Sequence, residues 1–335
     1  MNASESFMGR LPALFAAAFL YSCWVPFVAA GQTKAIVIGE SVRGAMYLPI
    51  YIAEQKNYFK KRDLDTKIVT FTRSNDLNAL IGGDIQFDLT APEKMIYGAL
   101  GGFSVKMVMG ITRGLNLVLV VNPSIRSAAD LKGKSVAVTG FSGQPYTGLL
   151  LCLKQLGMSK EQVVPLNLGG KSARFEALVG GKVPAAILDP PYTTLAAKEG
   201  FKFLVDLAPL DVPYLRNIAA VTERFLREDP RTVARFVEAF VEGIHFYRNK
   251  ANKEESMRIL AKYMRLPLDK NRAMIEESYE TFREMTVKKP YPDPSAMRIN
   301  LEIIADSNPK AKNLNLASLV DLSYVERLDK EGKLE

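Results

Sequence analysis

Beyond Lys34 the apolar positions take two alternating forms, short runs rich in Val and Ile and longer stretches with a helical period. These read as buried strands and one-faced helices respectively. The first part of the chain predicts a strand at 35–39, a helix over 46–58 with Pro49 in its first turn, a strand at 66–71, and a short helix over 77–81 ending at Gly82-Gly83. A strand at 85–89, a helix from Thr90 to Gly101-Gly102 and a strand at 106–110 follow. The plan then repeats: strand 134–139, helix 145–157, strand 163–167, helix 171–179, strand 185–188, a helix from Pro191 and strand 201–206. Leu80-Ile81-Gly82-Gly83-Asp84-Ile85 aligns with Leu178-Val179-Gly180-Gly181-Lys182-Val183. Each copy is a βαβαβαβ unit, so the fold class is α/β with two similar lobes, each a mostly parallel sheet flanked by helices. Two such lobes leave a cleft at the carboxyl ends of their strands, where open parallel sheets bind ligands.

Residues 117–121 and 218–221 are apolar extended pieces placed to cross between the lobes as a hinge. After Val221 the period is helical: Asp229-Pro230 caps a long amphipathic helix to Tyr247, and helices follow near 254–263, 269–282 and 294–307,. These helices are expected to return to the first lobe, which makes it discontinuous: 31–120 plus 220–335, with 121–219 as the second lobe. Ahead of both, residues 11–30 are almost wholly apolar after Arg10 and exit through Val28-Ala29-Ala30. That is the pattern of a secretory signal peptide over 1–30, cut near Ala30, with Met8 as an alternative start. A membrane anchor and a lipid anchor on Cys23 are the competing readings of the same segment.

With 335 residues, 48% hydrophobic and 24% charged, the composition is that of folded domains with real cores,. The formal charge of +8 favours anionic ligands or surfaces, and no nucleic-acid signature accompanies it,. One histidine, His245, and one cysteine beyond the signal segment, Cys152, supply no metal cluster, no disulfide and no Ser-His or Cys-His nucleophile,. No metal, cofactor or catalytic set is therefore expected. Gly170-Lys171-Ser172 looks like the end of a phosphate-binding loop, but Pro165 stands where that motif needs glycine,.

Four loops face the expected cleft. Ser41, Arg43 and Met46 offer a hydroxyl, a cation and an apolar wall; Thr90 and Ala91 open a helix, with Thr90 and Glu93 forming a capping box,. Ser142, Gly143 and Tyr146 lie where a strand, a glycine turn and a helix N-terminus meet, a geometry suited to an anion,. Asp189, Pro190-Pro191 and Tyr192 close the opposite wall, and Arg113 is a further anion partner,.

Several short stretches recur in a known order: Leu48-Pro49-Ile50 with Ala53-Glu54, Asn57-Tyr58-Phe59 and Asp63-Leu64-Asp65; Gly83-Asp84 with Phe87-Asp88; Asp130-Leu131-Lys132-Gly133-Lys134; Leu156-Gly157; and Asp189-Pro190-Pro191-Tyr192. In these the chain resembles the extracytoplasmic solute-binding proteins of ABC importers in the nitrate/sulfonate/taurine group, which includes binders of the thiamin pyrimidine precursor. The resemblance implies a type II two-lobed periplasmic-binding-protein-like fold. It further implies a non-enzymatic, monomeric, periplasmic protein that closes on one small ligand and delivers it to a membrane permease driven by a separate ATPase subunit. A sulfonate-, nitrate- or taurine-like anion is the leading ligand. The alternative is an aromatic or pyrimidine-type ligand stacked on Tyr47, Tyr146, Tyr192 or Tyr214, with Glu93 or Asp189 accepting from an amine. That alternative gains if Arg43 and Arg113 point away from the cleft. Relatives that make the thiamin pyrimidine use an active-site histidine and a cysteine-rich motif, and this chain has neither. Delivery to a sensor is the alternative to delivery to an importer.

Overall fold

The computed structural model describes residues 33–71, 75–140, 143–210 and 213–335. The expected signal peptide over 1–30 and Ser142 lie outside them. The first repeat runs β1 (Lys34–Glu40), α1 (Leu48–Gln55), β2 (Leu64–Thr70), α2 (Asp76–Gly82), β3 (Phe87–Thr90), α3 (Pro92–Leu100) and β4 (Val105–Arg113). Then come β5 (Val118–Val121) and α4 (Ala128–Leu131), followed by the second repeat: β6 (Ser135–Val138), α5 (Gln144–Gln155), β7 (Val164–Asn167), α6 (Lys171–Val179), β8 (Ala185–Leu188), α7 (Tyr192–Lys198) and β9 (Lys202–Asp206). The chain ends with β10 (Leu215–Thr222), α8 (Glu223–Glu228), α9 (Pro230–Arg248), α10 (Lys253–Met264), α11 (Leu268–Met285), α12 (Arg298–Ser307) and α13 (Ser323–Lys330).

The strands form two sheets of matching design, ordered β2-β1-β3-β10-β4 and β7-β6-β8-β5-β9. In the first, β1 is parallel to β2 and β3, while β10 runs antiparallel between β3 and β4. In the second, β6 is parallel to β7 and β8, while β5 runs antiparallel between β8 and β9. Both sheets are thus mixed. The apolar pieces expected to serve only as crossings are interior strands, β5 and the longer β10. Their composition explains the position: β5 is buried throughout and β10 along all but its last residue, as strands covered by helices on both faces must be.

The helices after β10 return to the first sheet. Asp229 caps α9, its carboxylate accepting from the Thr232 amide at 3.1 Å, and Phe236 from this helix stacks on Phe87 of β3 with ring centroids 3.7 Å apart,. Gly243 lets α9 pack directly on α1, because a Cβ there would collide with the Pro49 carbonyl. Two contacts tie this helical layer to the second-sheet lobe: Thr194 of α7 donates to Glu277 of α11 at 3.0 Å, and Lys160 pairs with Asp306 of α12 at 2.7 Å. Among the described residues no helix is long and apolar enough to cross a membrane.

The capping box expected at Thr90 and Glu93 does not form. Helix α3 begins at Pro92 with Ala91 at its N-cap, and Thr90 is the buried last residue of β3, its hydroxyl donating to Asp76 at 3.1 Å. A buried hydroxyl beside a buried carboxylate gains more there than at a helix end that solvent can satisfy.

A cation-rich cleft at the strand ends

Loops at the carboxyl ends of β1, β6, β7 and β8 converge on a cleft of about 550 Å3, roofed by residues of α11 and by Met264. On the first-sheet side, Glu40 ends β1 fully buried. It accepts from Arg43 Nε at 2.9 Å, from Thr70 Oγ1 at 2.6 Å and from the Tyr51 hydroxyl. Arg43 also reaches Thr70 at 2.7 Å and the Tyr263 carbonyl at 3.5 Å. Burial and the adjacent Glu40 charge hold the Tyr51 hydroxyl far above its usual pKa, so it stays protonated and donates,.

On the second-sheet side, Asp189 follows β8 and is buried. It accepts from Lys171 Nζ at 2.8 Å and lies 3.9 Å from the Arg174 guanidinium. Arg174, only 2% exposed, is oriented by the Ile187 carbonyl at 2.9 Å, the Gly169 carbonyl at 3.1 Å and the Thr139 hydroxyl. Burial pulls its pKa down and the Asp189 charge opposes the change. Arg216, on β10, donates to Asn116 at 2.9 Å and lies 5.4 Å from the centre of the Phe282 ring. Its carbonyl accepts from Gln144 of α5 at 3.2 Å, a bond from one lobe to the other. Met46, Leu117, Tyr192, Met264, Met274 and Phe282 supply apolar wall.

Of the residues expected at the site, Arg43, Met46, Asp189 and Tyr192 line this cleft. The others do not. Ser41 shares a hydrogen bond with the Tyr47 hydroxyl at 3.3 Å, and Arg113 is spent on Asp293 at 3.1 Å. Thr90 and Ala91 belong to the end of β3 and the cap of α3. Gly143, with φ 81°, caps α5 next to the lining residues Gln144 and Pro145, and Tyr146 packs half-buried on the second-sheet core. Tyr47 and Tyr214 are fully buried away from the lining, Tyr214 donating to Glu93 at 2.7 Å, and burial raises the pKa of Glu93.

Sequence reasoning missed Lys171, Arg174 and Arg216. A signal existed for the last: an Arg-Asn pair interrupts an otherwise apolar run at 214–221. Arg174 sits one turn into α6, whose first residues resemble a phosphate loop, and its role depends on Asp189 and the Ile187 carbonyl brought to it by the fold.

Behind Glu40, on the neighbouring strand, Asp88 is completely buried, and neither of its carboxylate oxygens has a hydrogen-bond partner among the described residues. Burial, reinforced by nearby Asp76, raises its pKa well above the usual carboxylate range. Asp76 itself is gripped by Lys94 at 2.5 and 2.6 Å. A protonated Asp88 can donate to Asp76, which reconciles a buried acid with an acidic neighbour. His245 lies on α9 and the Cys152 thiol is buried in the second-sheet core, pushed up to about 12 by burial. Neither reaches the cleft.

Two sheets of repeated topology with a ligand-sized cleft at their strand ends define a periplasmic-binding-protein-like, two-lobed fold. The chain belongs to the NMT1/THI5-like family, whose model matches residues 45–253. Among solved structures it is similar to the periplasmic aliphatic sulphonate binding protein SsuA from Escherichia coli, with a TM-score of 0.68, 22% identity and coverage of 85% of this chain and 97% of that one. Among curated proteins it is 24% identical over 207 residues to the riboflavin-binding protein RibY of Chloroflexus aurantiacus, covering 59% of this chain and 58% of that protein. It is 29% identical over 145 residues to the 4-amino-5-hydroxymethyl-2-methylpyrimidine phosphate synthase THI5 of Saccharomyces cerevisiae, covering 42% of each. The matches thus span less than two thirds of either curated relative.

Proposed function

We propose that the protein is the extracytoplasmic solute-binding component of an ABC import system, which takes a small anionic solute into the cleft and hands it to a membrane permease. One observation carries this reading: among the described residues the cleft is lined by Arg43, Lys171, Arg174 and Arg216 against the single carboxylate Asp189. Even with Glu40 counted behind Arg43, positive charge is left over for a ligand,. Closure is the mechanism. A solute touching both lobes stabilises the state in which they approach, and its differential contacts set the population.

A pyrimidine-type ligand gains if Arg43 and Arg113 both point away from the cleft; Arg43 lines it, paired with Glu40, and Arg113 does not. Arg174 and Arg216 line it as well, while Tyr47, Tyr214 and Glu93 are withdrawn from the lining. A synthase reading finds no support in the cleft, whose lining among the described residues includes neither histidine nor cysteine. The test is a thermal-shift and calorimetric panel of sulfonates, nitrate, bicarbonate, taurine and aminopyrimidines. A ligand at about 100 times its Kd adds about 2.7 kcal/mol of stability. Stabilisation by anions is the expected result, and stabilisation by aminopyrimidines alone overturns it.

A further inference from the structure

The register of β10 changes at Arg216. The ladder with β4 passes from Leu215 opposite Arg113 to Asn217 opposite Thr112, which leaves Arg216 as the extra residue of a bulge. Bulges bend a strand and re-aim the side chain they carry. Here the side chain is only 4% exposed, yet it lines the cleft. Its side chain donates to Asn116, its Nε is buried with no partner, and no carboxylate pairs with it among the described residues. Burial draws its pKa below the usual value, with Asp189 of the other lobe the foremost charge acting against that. A guanidinium is a planar fork of donors suited to a carboxylate or sulfonate, and a buried one with an unengaged donor is suited to take one.

The surroundings describe the rest of the solute. The Phe282 ring lies beside the guanidinium, and Met46, Met264 and Met274 place three thioethers around the same space. Polarizable sulfur packs well on aromatic rings. A bare inorganic anion leaves this wall unused, and a purely aliphatic tail gains nothing from it beyond area.

Resting on the reading of the protein as an anion-binding solute carrier, we propose that Arg216 is the anchor for the anionic group and that the solute is an aromatic carboxylate or sulfonate whose ring packs on Phe282 and the methionines. The bulge fixes Arg216 where β10 meets the second lobe, since Gln144 holds the carbonyl of the same residue. The anchor is therefore built into the interior strand around which the lobes close.

Calorimetry on the full chain with benzenesulfonate, methanesulfonate, sulfate and neutral benzenesulfonamide tests this. Benzenesulfonate is expected to bind at least about tenfold more tightly than methanesulfonate or sulfate, with no binding of the sulfonamide. Arg216→Gln should weaken benzenesulfonate about a hundredfold, as removal of one member of a buried charge pair does. Arg216→Lys, which keeps the charge and loses the fork, covers the case in which the glutamine variant does not fold, and should weaken it about tenfold. Phe282→Leu should reduce the preference for benzenesulfonate over methanesulfonate. Unchanged affinity in both Arg216 variants overturns the anchor while leaving the anion reading intact. A preference for methanesulfonate or sulfate overturns the aromatic class alone. Binding of the sulfonamide only, or of none of the four probes, overturns this proposal, while the anion reading stands or falls on the wider panel with nitrate, bicarbonate, taurine and aminopyrimidines.

Discussion

On the first-sheet side of the cleft, Arg43 meets Glu40, Thr70 and a backbone carbonyl, and Glu40 in turn has Tyr51 and Thr70. On the second-sheet side, Lys171 and Arg174 share Asp189, while Arg216 has Asn116. The first arrangement closes on itself: each charge has its counter-charge and the group acts as scaffolding. The second holds more cations than it can neutralise. What separates the two walls is counter-charge: Arg43 has Glu40 to itself, whereas Lys171 and Arg174 divide Asp189 and Arg216 pairs with no carboxylate among the described residues.

Three measurements test that contrast. The largest effect is expected from Glu40→Ala, which strands Arg43, Tyr51 and Thr70 and should cost about 3 kcal/mol in urea unfolding. A loss below about 1 kcal/mol, the range of exposed pairs, would dissolve the distinction between the two walls. Next is Asp88, one strand behind Glu40 and without its partners. Because its folded pKa is raised, the folded chain holds a proton that the unfolded chain has released, from the ordinary aspartate range up to the folded value. Stability contributed by this group is present in acid and declines as pH rises through that window. Asp88→Asn keeps a donor toward Asp76 and should flatten this decline, adding about 1–2 kcal/mol at pH 8; an unchanged slope between pH 5 and pH 8 rules the account out. The smallest effect belongs to Lys171→Ala. Its side chain is 45% exposed, so unfolding should shift by no more than about 1 kcal/mol, while affinity for anions falls a few-fold as one positive charge leaves the lining.

The two lobes, their repeated units and most helices were legible because apolar periodicity and glycine stops are local signals. Helix α6 and strand β8 coincide with their expected bounds, since each is framed by glycine or proline. The antiparallel insertion of β5 and β10 was not legible: an apolar run states that a strand is buried, and only tertiary pairing decides between which neighbours. The site was read in part for the same reason. Loop residues after β1 and β8 could be placed from the fold plan, as Arg43, Met46, Asp189 and Tyr192 were. Arg216 depended on a bulge, and bulges arise from the ladder with a partner strand distant in sequence. Arg113 looked equally suitable until Asp293, far along the chain, was seen to occupy it.

The contact from Thr194 to Glu277 spans the two layers that bound the cleft, and both of its ends are accessible. Cys152, the cysteine of the described chain, is sealed in the second-sheet core with a depressed tendency to form thiolate,. In a chain that lacks residues 1–30, and with them Cys23, a fluorophore attached through Glu277→Cys would therefore label one place, and its emission would follow opening and closing as solute comes and goes, making the molecule a reagentless optical sensor for its own cargo.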